Sequence, residues 1–227
     1  MYKILLLFLS LTLSVSAVKG QSSTDSIVSE LLLQYDKENW NGVLSLFEKF
    51  AKEDPYNAEV FYWLRASENE ELRPKVLLML ADSFYRRENA SKTILMYKEL
   101  VTKTSPSVPV LLKAAEIVIN LGDVKVSQLI HQKILDVDPK NLKANLFLGN
   151  FIFLRGEKER KRLEYNYNQK KKHSRMEYAE FRTKQRDLYT NYYAKAKGYL
   201  TVALSQKNSE EVKNTLQLID DLNLKLK

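Results

Sequence analysis

The chain has 227 residues, a formal net charge of +8 and no cysteine, and 44% of its residues are hydrophobic. Without cysteine there is no disulfide framework, no thiolate metal site and no lipid-modified cysteine, so packing alone must hold the fold together. Six glycines and five prolines are few for this length, which favours a mostly helical protein over a disordered one.

The first 20 residues are predicted to be a secretory signal peptide. Lys3 gives a positive start, residues 4–18 are apolar or small hydroxyl residues, and Val18-Lys19-Gly20 resembles a cleavage site. The apolar run is shorter than the ~20 residues that span a bilayer. We therefore expect cleavage before Gln21 rather than an uncleaved anchor. Residues 21–227 would then form one domain of an exported protein, periplasmic or secreted.

Three helices are predicted before residue 74. Ser22 to Asp25 offers capping oxygens for the first, and the second ends at Asp54-Pro55 because proline cannot continue a helix. Asn57 is expected to cap the third, which a polar run ends early. The third helix would present Val60, Phe61 and Leu64 on its apolar face.

One pattern then returns at a fixed step of 34 residues between Pro74 and Gly156. Leu77 and Leu111 are 34 residues apart, as are Gly122 and Gly156. Paired amphipathic segments with this period predict a stack of helix-turn-helix repeats. The predicted helices begin after Pro74 and after Asn89, continue as the pair 110–121 and 124–137, and reach a third copy at Asn145.

The repeats resemble the tetratricopeptide repeat family. Its pattern is a large apolar residue, then Leu-Gly or Leu-Ala three residues later, then an aromatic residue. The later positions are occupied by Leu80-Ala81 with Phe84, Ala114-Ala115 with Val118, and Leu148-Gly149 with Ile152. Its turn and its repeat end are matched by Gly122-Asp123 and by Asp138-Pro139-Lys140-Asn141, whereas Thr93 and Ser127 replace the usual alanine.

The resemblance implies an all-α fold, a right-handed superhelical solenoid of antiparallel helix pairs. Such an array needs a closing helix with a polar outer face. The expected interior positions are Leu77, Leu80, Phe84, Tyr97, Leu111, Ala115, Ile134 and Leu148.

A charged, tyrosine-rich segment replaces the second helix of the third repeat. Residues 155–187 contain twelve Lys/Arg and six Asp/Glu, a net charge of +6 that equals the net charge of the cleaved chain. Ser174 with Glu177 is a capping-box pattern. Apolar residues then recur at steps of three and four from Tyr178 to Ala203. These features predict an extended hairpin over about 142–205, with helices 142–168 and 175–205, a bend at 169–173, and a closing helix 208–225 capped by Asn208.

The sequence lacks the common catalytic motifs. Its two histidines, His131 and His173, are 42 residues apart, and there is no Gly-x-Ser-x-Gly, phosphate-binding glycine loop or His-Glu-x-x-His. We therefore expect a protein that is not an enzyme and uses no cofactor or metal. His131 would be a helix-packing residue, and His173 a solvated residue of the bend.

The resemblance implies a concave groove that takes a peptide or a partner protein. Asn150 is the one match to the family's carboxylate clamp, and Leu78, Leu112 and Leu146 occupy lysine positions of that clamp, so a more apolar groove is favoured. An equal alternative is that Leu78 and Leu146 pack between repeats. The groove positions would be Lys75, Leu78, Asp82, Tyr85, Arg86, Leu112, Glu116, Ile119, Asn120, Lys143, Leu146, Asn150 and Phe153.

The basic arm has three interpretations. Charge runs are commonly solvated helix faces, but Lys/Arg interleaved with tyrosine also suits an anionic surface such as lipid headgroups or glycan, or a dock for a partner protein. The sequence thus predicts a protein–protein scaffold of the cell envelope, with anionic-surface binding as the alternative and no nucleic-acid ligand. The basic arm comprises Lys158, Arg160, Lys161, Arg162, Lys170, Lys171, Lys172 and Arg175.

Overall fold

The structure, a computed structural model, describes the backbone of residues 18–226 and the side chains of residues 25–226. The predicted signal peptide lies almost wholly outside the described residues. Every regular element of the described chain is helical, which confirms the all-α class. None of the described helices is long and apolar enough to cross a membrane. The helices belong to two compact units, one ending at Asn89 and one beginning at Ala90.

The described part of the first unit, from residue 18, contains four helices: α1 (Val18–Asp36), α2 (Trp40–Glu53), α3 (Pro55–Phe61), which continues into a π-helical turn (Tyr62–Ala66), and α4 (Arg73–Arg86). α1 runs through Ser22 to Asp25, so those residues do not begin the helix as predicted. Asp54, not Asn57, caps α3, because its carboxylate accepts the backbone N–H of Asn57 at 3.1 Å. Pro55 occupies the first turn, where the missing N–H costs nothing.

The predicted apolar face of α3 is only partly correct. Phe61 is buried as expected, and so is Tyr62, whereas Val60 is 50% exposed and Leu64 is 74% exposed. The helix buries the side on which Ala58, Phe61 and Tyr62 lie, and the other side has no covering helix within this unit. The apolar residues on that open side therefore face outward.

The second unit contains α5 (Ala90–Lys103), α6 (Val108–Asn120), α7 (Val124–Val137), α8 (Leu142–Asn168), α9 (Arg175–Leu188), a π-helical turn (Tyr189–Tyr193), α10 (Ala194–Gln206) and α11 (Glu210–Leu224). The turn between α6 and α7 is as predicted. Gly122 has φ +87°, a conformation that side chains disfavour, and Asp123 caps α7 by accepting the N–H of Val126. Asn141 caps α8 in the same way.

The interior predicted from the repeat is confirmed. α6 packs against α7 and α7 against α8, as adjacent antiparallel pairs. Each of the eight predicted interior residues is no more than 1% exposed. Thr93 and Ser127, which replace the family's alanine, are also fully buried. Threonine and serine therefore supply the small side chain that the pattern requires at these positions, with a hydroxyl group that alanine lacks.

The extended hairpin is also confirmed. α9, the π-helical turn and α10 form one continuous helix over residues 175–206, roughly 48 Å long at the usual rise per residue. α8 pairs with it and is roughly 40 Å long. The capping box between Ser174 and Glu177 is present. The last helix is capped by Ser209, whose hydroxyl accepts the N–H of Val212, and not by Asn208.

Candidate binding surfaces

The predicted groove positions of the first unit lie along α4. Their spacing of three and four residues places them on one side of the helix, away from the buried Leu77, Leu80 and Phe84. Tyr85 is 43% exposed. The structure therefore leaves this side of α4 accessible within its unit. The five positions, all exposed or half-buried, are Lys75, Leu78, Asp82, Tyr85 and Arg86.

The groove positions of α6 are accessible in the second unit. Glu116 and Asn120 are exposed and Leu112 is half-buried, while Leu111 and Ala115 on the opposite side belong to the core. Ile119 is half-buried beside them. The face thus combines an apolar strip with polar groups.

The groove positions of α8 divide into two sets. Lys143 and Asn150 are exposed, whereas Leu146 and Phe153 pack against the buried cluster that joins α10 and α11. The ring of Phe153 lies 5.9 Å from that of Tyr193, in an edge-to-face contact. Leu146 therefore packs against other helices, as the alternative interpretation of this residue expected, and Phe153 does the same.

A polar network braces the middle of the hairpin. The guanidinium of Arg160 donates to both carboxylate oxygens of Glu157, at 3.0 and 2.7 Å, and to Glu164 at 2.8 Å. The hydroxyl of Tyr193, across the hairpin, donates to Glu157 at 2.6 Å. The bond from Arg160 is the main cause that holds the pKa of Glu157 below its usual value. Arg160, predicted as part of the basic arm, is therefore committed to contacts inside the hairpin.

Stacked rings order the bend of the hairpin. The ring of Tyr167 stacks on His173, with 3.7 Å between centroids, and on Phe181, with 4.0 Å between centroids. Lys170 forms an ion pair with Glu177, and this pair together with the capping bonds of Ser174 lowers the pKa of Glu177 to about 2. His173 is half-buried in the stack, so the prediction of a solvated histidine was wrong.

The end of the hairpin presents both cationic and apolar side chains. Lys171, Lys172 and Arg175 are exposed and form no ion pair within the described residues. Three large apolar or aromatic side chains surround them: Tyr165 is 67% exposed, Met176 71% and Tyr178 54%. Sequence reasoning assigned Tyr178 to the packed face of its helix and did not single out Met176. No other helix reaches Tyr178 within this unit, because α8 ends at Asn168.

The remaining basic-arm residues lie on α8. Lys158, Lys161 and Arg162 are exposed, and Arg162 forms a weak ion pair with Glu159 at 3.4 Å. These cations line the side of the hairpin and are separate from the group at its end.

His131 lies in the core, as predicted. Its ring is 7% exposed and stacks on Phe147 with 3.9 Å between centroids, and its Nδ1 lies 2.8 Å from the carbonyl oxygen of Ser127. Burial lowers the pKa of His131, since it disfavours the charged form. Within residues 25–226 no three His, Asp or Glu side chains come together as a metal site.

Comparisons with known proteins connect this chain to a solved structure. No protein-family model and no curated protein matches the chain. The chain is similar to a crystal structure of a protein from Bacteroides ovatus ATCC 8483 that is described as a "putative protein binding protein". The two are 28% identical with a TM-score of 0.59, over 90% of this chain and 99% of the other. A likeness of this extent covers residues of both units.

Proposed function

We propose that this protein is a non-catalytic, exported scaffold of the cell envelope that binds a peptide or partner protein. The observation that carries the proposal is the similarity to the Bacteroides ovatus structure over 90% of the chain. Its description as a protein-binding protein agrees with the resemblance of this sequence to tetratricopeptide repeats. We propose further that the helix pairs form a right-handed superhelix, the arrangement that creates a concave binding surface in such arrays.

The accessible faces of α6 and α8 in the second unit are the proposed binding surface, and the accessible face of α4 in the first unit is proposed as a separate one. On α6, Leu112 supplies an apolar contact and Glu116 and Asn120 supply polar ones. On α8, Lys143 and Asn150 remain exposed after Leu146 and Phe153 are taken into the core. An apolar contact bordered by polar groups is the usual composition of a protein-binding surface.

Site-specific photo-crosslinking in the host tests this surface. A crosslinking amino acid is placed in turn at Glu116, Asn120 and Asn150, and the matched control positions are Lys133 and Asp136 on α7, which are equally exposed. We expect discrete crosslinked partners from the first set and none from the control. The same adducts at both sets, or none at either, would contradict the proposed surface.

Affinity then measures how much the surface contributes. Once the crosslinked partner is identified, the double substitution Glu116→Arg and Asn120→Arg should weaken its binding at least about tenfold, because polar contacts would be lost and the charge reversed. Lys133→Glu with Asp136→Lys keeps the net charge and should leave affinity unchanged.

A second candidate function is binding to an anionic surface through the hairpin. It is favoured by the exposed cations that form no ion pair within the described residues, Lys158, Lys161, Lys171, Lys172 and Arg175. Retention on a heparin column that falls steeply with salt would support it, since such attraction is screened beyond a Debye length of about 10 Å. Retention that does not respond to salt would argue against it.

A further inference from the structure

The end of the hairpin differs from its sides in both charge and exposed apolar area. We propose that this end docks on the surface of an anionic phospholipid bilayer. The inference rests on the second candidate function and narrows it to one ligand and one part of the hairpin.

Electrostatics supplies the first argument. The segment 169–176 contains four cations and no acid, and the nearest following acid, Glu177, is already paired with Lys170. Lys171, Lys172 and Arg175 thus leave a positive charge that is not compensated locally. A cation held close to an anionic leaflet strengthens binding by roughly fivefold. Three such groups at one point would together strengthen binding by roughly 125-fold.

The exposed apolar side chains supply the second argument. Tyr165 belongs to the last turn of α8, and Met176 and Tyr178 belong to the first turn of α9, so all three lie beside the bend. They are between 54% and 71% exposed, although each carries enough apolar area to favour burial. Tyrosine is enriched at the headgroup level of membranes, where its ring is buried and its hydroxyl stays hydrated.

The size of the surface favours a bilayer over a folded protein partner. The end of a two-helix hairpin measures roughly 20 by 10 Å, given a helix diameter of about 10 Å. A specific protein–protein interface buries about 800 Å² on each partner, several times that area. A bilayer surface needs no matching shape, and additional affinity comes from lipids that gather around the cations.

The bend is ordered before it meets any ligand. The stack of Tyr167 with His173 and Phe181, and the capping box of Ser174, hold the chain in place around the cations. Little conformational entropy would therefore be lost on docking. Substituting the exposed residues leaves these contacts intact, so the variants below should fold normally.

Vesicle co-sedimentation tests the proposal. The protein, in the form that its host exports, is mixed at about 0.1 M salt, where the Debye length is about 10 Å, with phosphatidylcholine vesicles that contain phosphatidylglycerol or lack it. We expect strong partitioning onto the anionic vesicles and little onto the neutral ones. The double variant Lys171→Gln and Lys172→Gln should weaken partitioning about 25-fold, because two cations of about fivefold each are removed.

Lys158→Gln with Lys161→Gln is the matched control. It removes the same charge from exposed positions on α8, but Lys161 lies about 12 Å or more along the helix from the bend, beyond the screening length. We expect less than about a threefold loss of partitioning from this control. An equal loss in both variants would show that overall charge, not the end of the hairpin, drives binding.

The apolar contribution is measured separately. Met176→Ser with Tyr178→Ser keeps every charge and should lower partitioning about tenfold, because apolar contact area is lost. At high salt this variant should still partition less than the parent, whereas the charge variants should no longer differ from the parent. Unchanged partitioning in this variant would overturn the insertion of these side chains, and with it the docking mode proposed.

The remaining outcomes separate the two hypotheses. Equal sedimentation with neutral and anionic vesicles, together with salt-sensitive heparin retention, would overturn the lipid proposal and leave the second candidate function standing. If the protein neither prefers anionic vesicles nor is retained on heparin, the lipid proposal and the second candidate function are both rejected. An acidic partner protein that needs Lys171 and Lys172 while vesicles do not bind would also overturn it. The α6 variant Glu116→Arg with Asn120→Arg should not lose vesicle binding, because its changes lie outside the hairpin and add positive charge.

Discussion

The hairpin has an inner part and an outer part that are built differently. In the inner part, α8 presents Gly149 to α10 and Gly156 to the π-helical turn before α10, and the side chain of Leu200 fills the space at Gly149. α10 buries Ala196, Leu200 and Ala203 there. In the outer part, none of the residues of α9 is buried; the Tyr167–Phe181 ring stack joins α8 to α9, and the Lys170–Glu177 ion pair joins the bend to α9.

Within one pair of helices, the inner part therefore contributes mainly to stability, and the outer part is available to contact a ligand. The inner part is close-packed, so nearly every substitution there should cost folding free energy. The outer part depends on few contacts, which leaves most of its side chains free to contact a ligand. Surfaces that bind are commonly placed on such lightly packed elements, provided that a rigid base supports them. Four predictions test the comparison, from the largest effect to the smallest.

The largest effect is expected from truncating a leucine in the inner part. Leu200 is fully buried, so Leu200→Ala should lower the free energy of unfolding by about 2–5 kcal/mol. The same change at Leu163, which is half-buried in the outer part, should cost about 1 kcal/mol because less apolar surface is lost. Urea denaturation of the two variants measures both values. Equal costs would remove the distinction between the two parts.

The next effect comes from the close approach at Gly156. A Cβ at this position would lie 2.9 Å from Cβ of Tyr192 and 3.3 Å from the ring of Tyr193, and neither atom is the free end of a flexible chain. Gly156→Ala should therefore destabilise the fold by about 1–3 kcal/mol.

Gly198 offers the matched control for that change. It lies in α10, and a Cβ there would meet nothing within 4 Å. Gly198→Ala should stabilise the protein by about 0.5–1 kcal/mol, since alanine is the better helix former. Thermal unfolding of the two variants should thus show shifts of opposite sign, and shifts of the same sign would mean that the helices do not meet at Gly156.

A smaller, pH-dependent effect is expected where the inner and outer parts meet. Glu157→Gln should cost about 1 kcal/mol at neutral pH, because the hydrogen bonds from Arg160 and Tyr193 to the carboxylate weaken. The pKa of Glu157 is lower in the folded than in the unfolded protein. The stability that its charged form contributes is therefore fully present above the unfolded pKa, and it is lost as the pH falls from that value through the folded pKa.

Denaturation of parent and variant at pH 7 and in acid measures this dependence. The difference in stability between them should shrink as the pH falls through the range in which Glu157 becomes protonated. A difference that stays constant down to strongly acidic pH would show that the charge of Glu157 contributes nothing.

The smallest effect on stability is expected at the bend. Lys170→Glu, Lys171→Glu and Lys172→Glu together alter six units of charge on exposed side chains, and only Lys170 has an ion pair, with Glu177. Exposed ion pairs contribute little, so the melting temperature should change far less than in Leu200→Ala. Binding to anionic vesicles should nevertheless be abolished. A large drop in melting temperature would mean that the bend stabilises the whole unit.

The sequence by itself determined the local structure of this protein. The 34-residue step located the helix pairs, and the Ser174–Glu177 box located the start of α9. Gly122 and Asp123 fixed the turn between α6 and α7. These signals were correct because a helix cap joins residues only three or four positions apart, so a short stretch of sequence contains the whole interaction. The predicted caps at Asn57 and Asn208 were wrong, because the neighbouring Asp54 and Ser209 make the capping bonds.

Only the tertiary structure decided which faces of the helices are covered. Tyr178, Val60 and Leu64 have the spacing of buried residues, yet they are exposed because no other helix of their unit covers them. Arg160 was predicted to belong to a basic surface, yet Glu157, which accepts its hydrogen bonds, also accepts the hydroxyl of Tyr193 from the other helix of the hairpin. A periodic pattern states which residues share a side, but whether another element packs on that side depends on helices that are distant in the sequence.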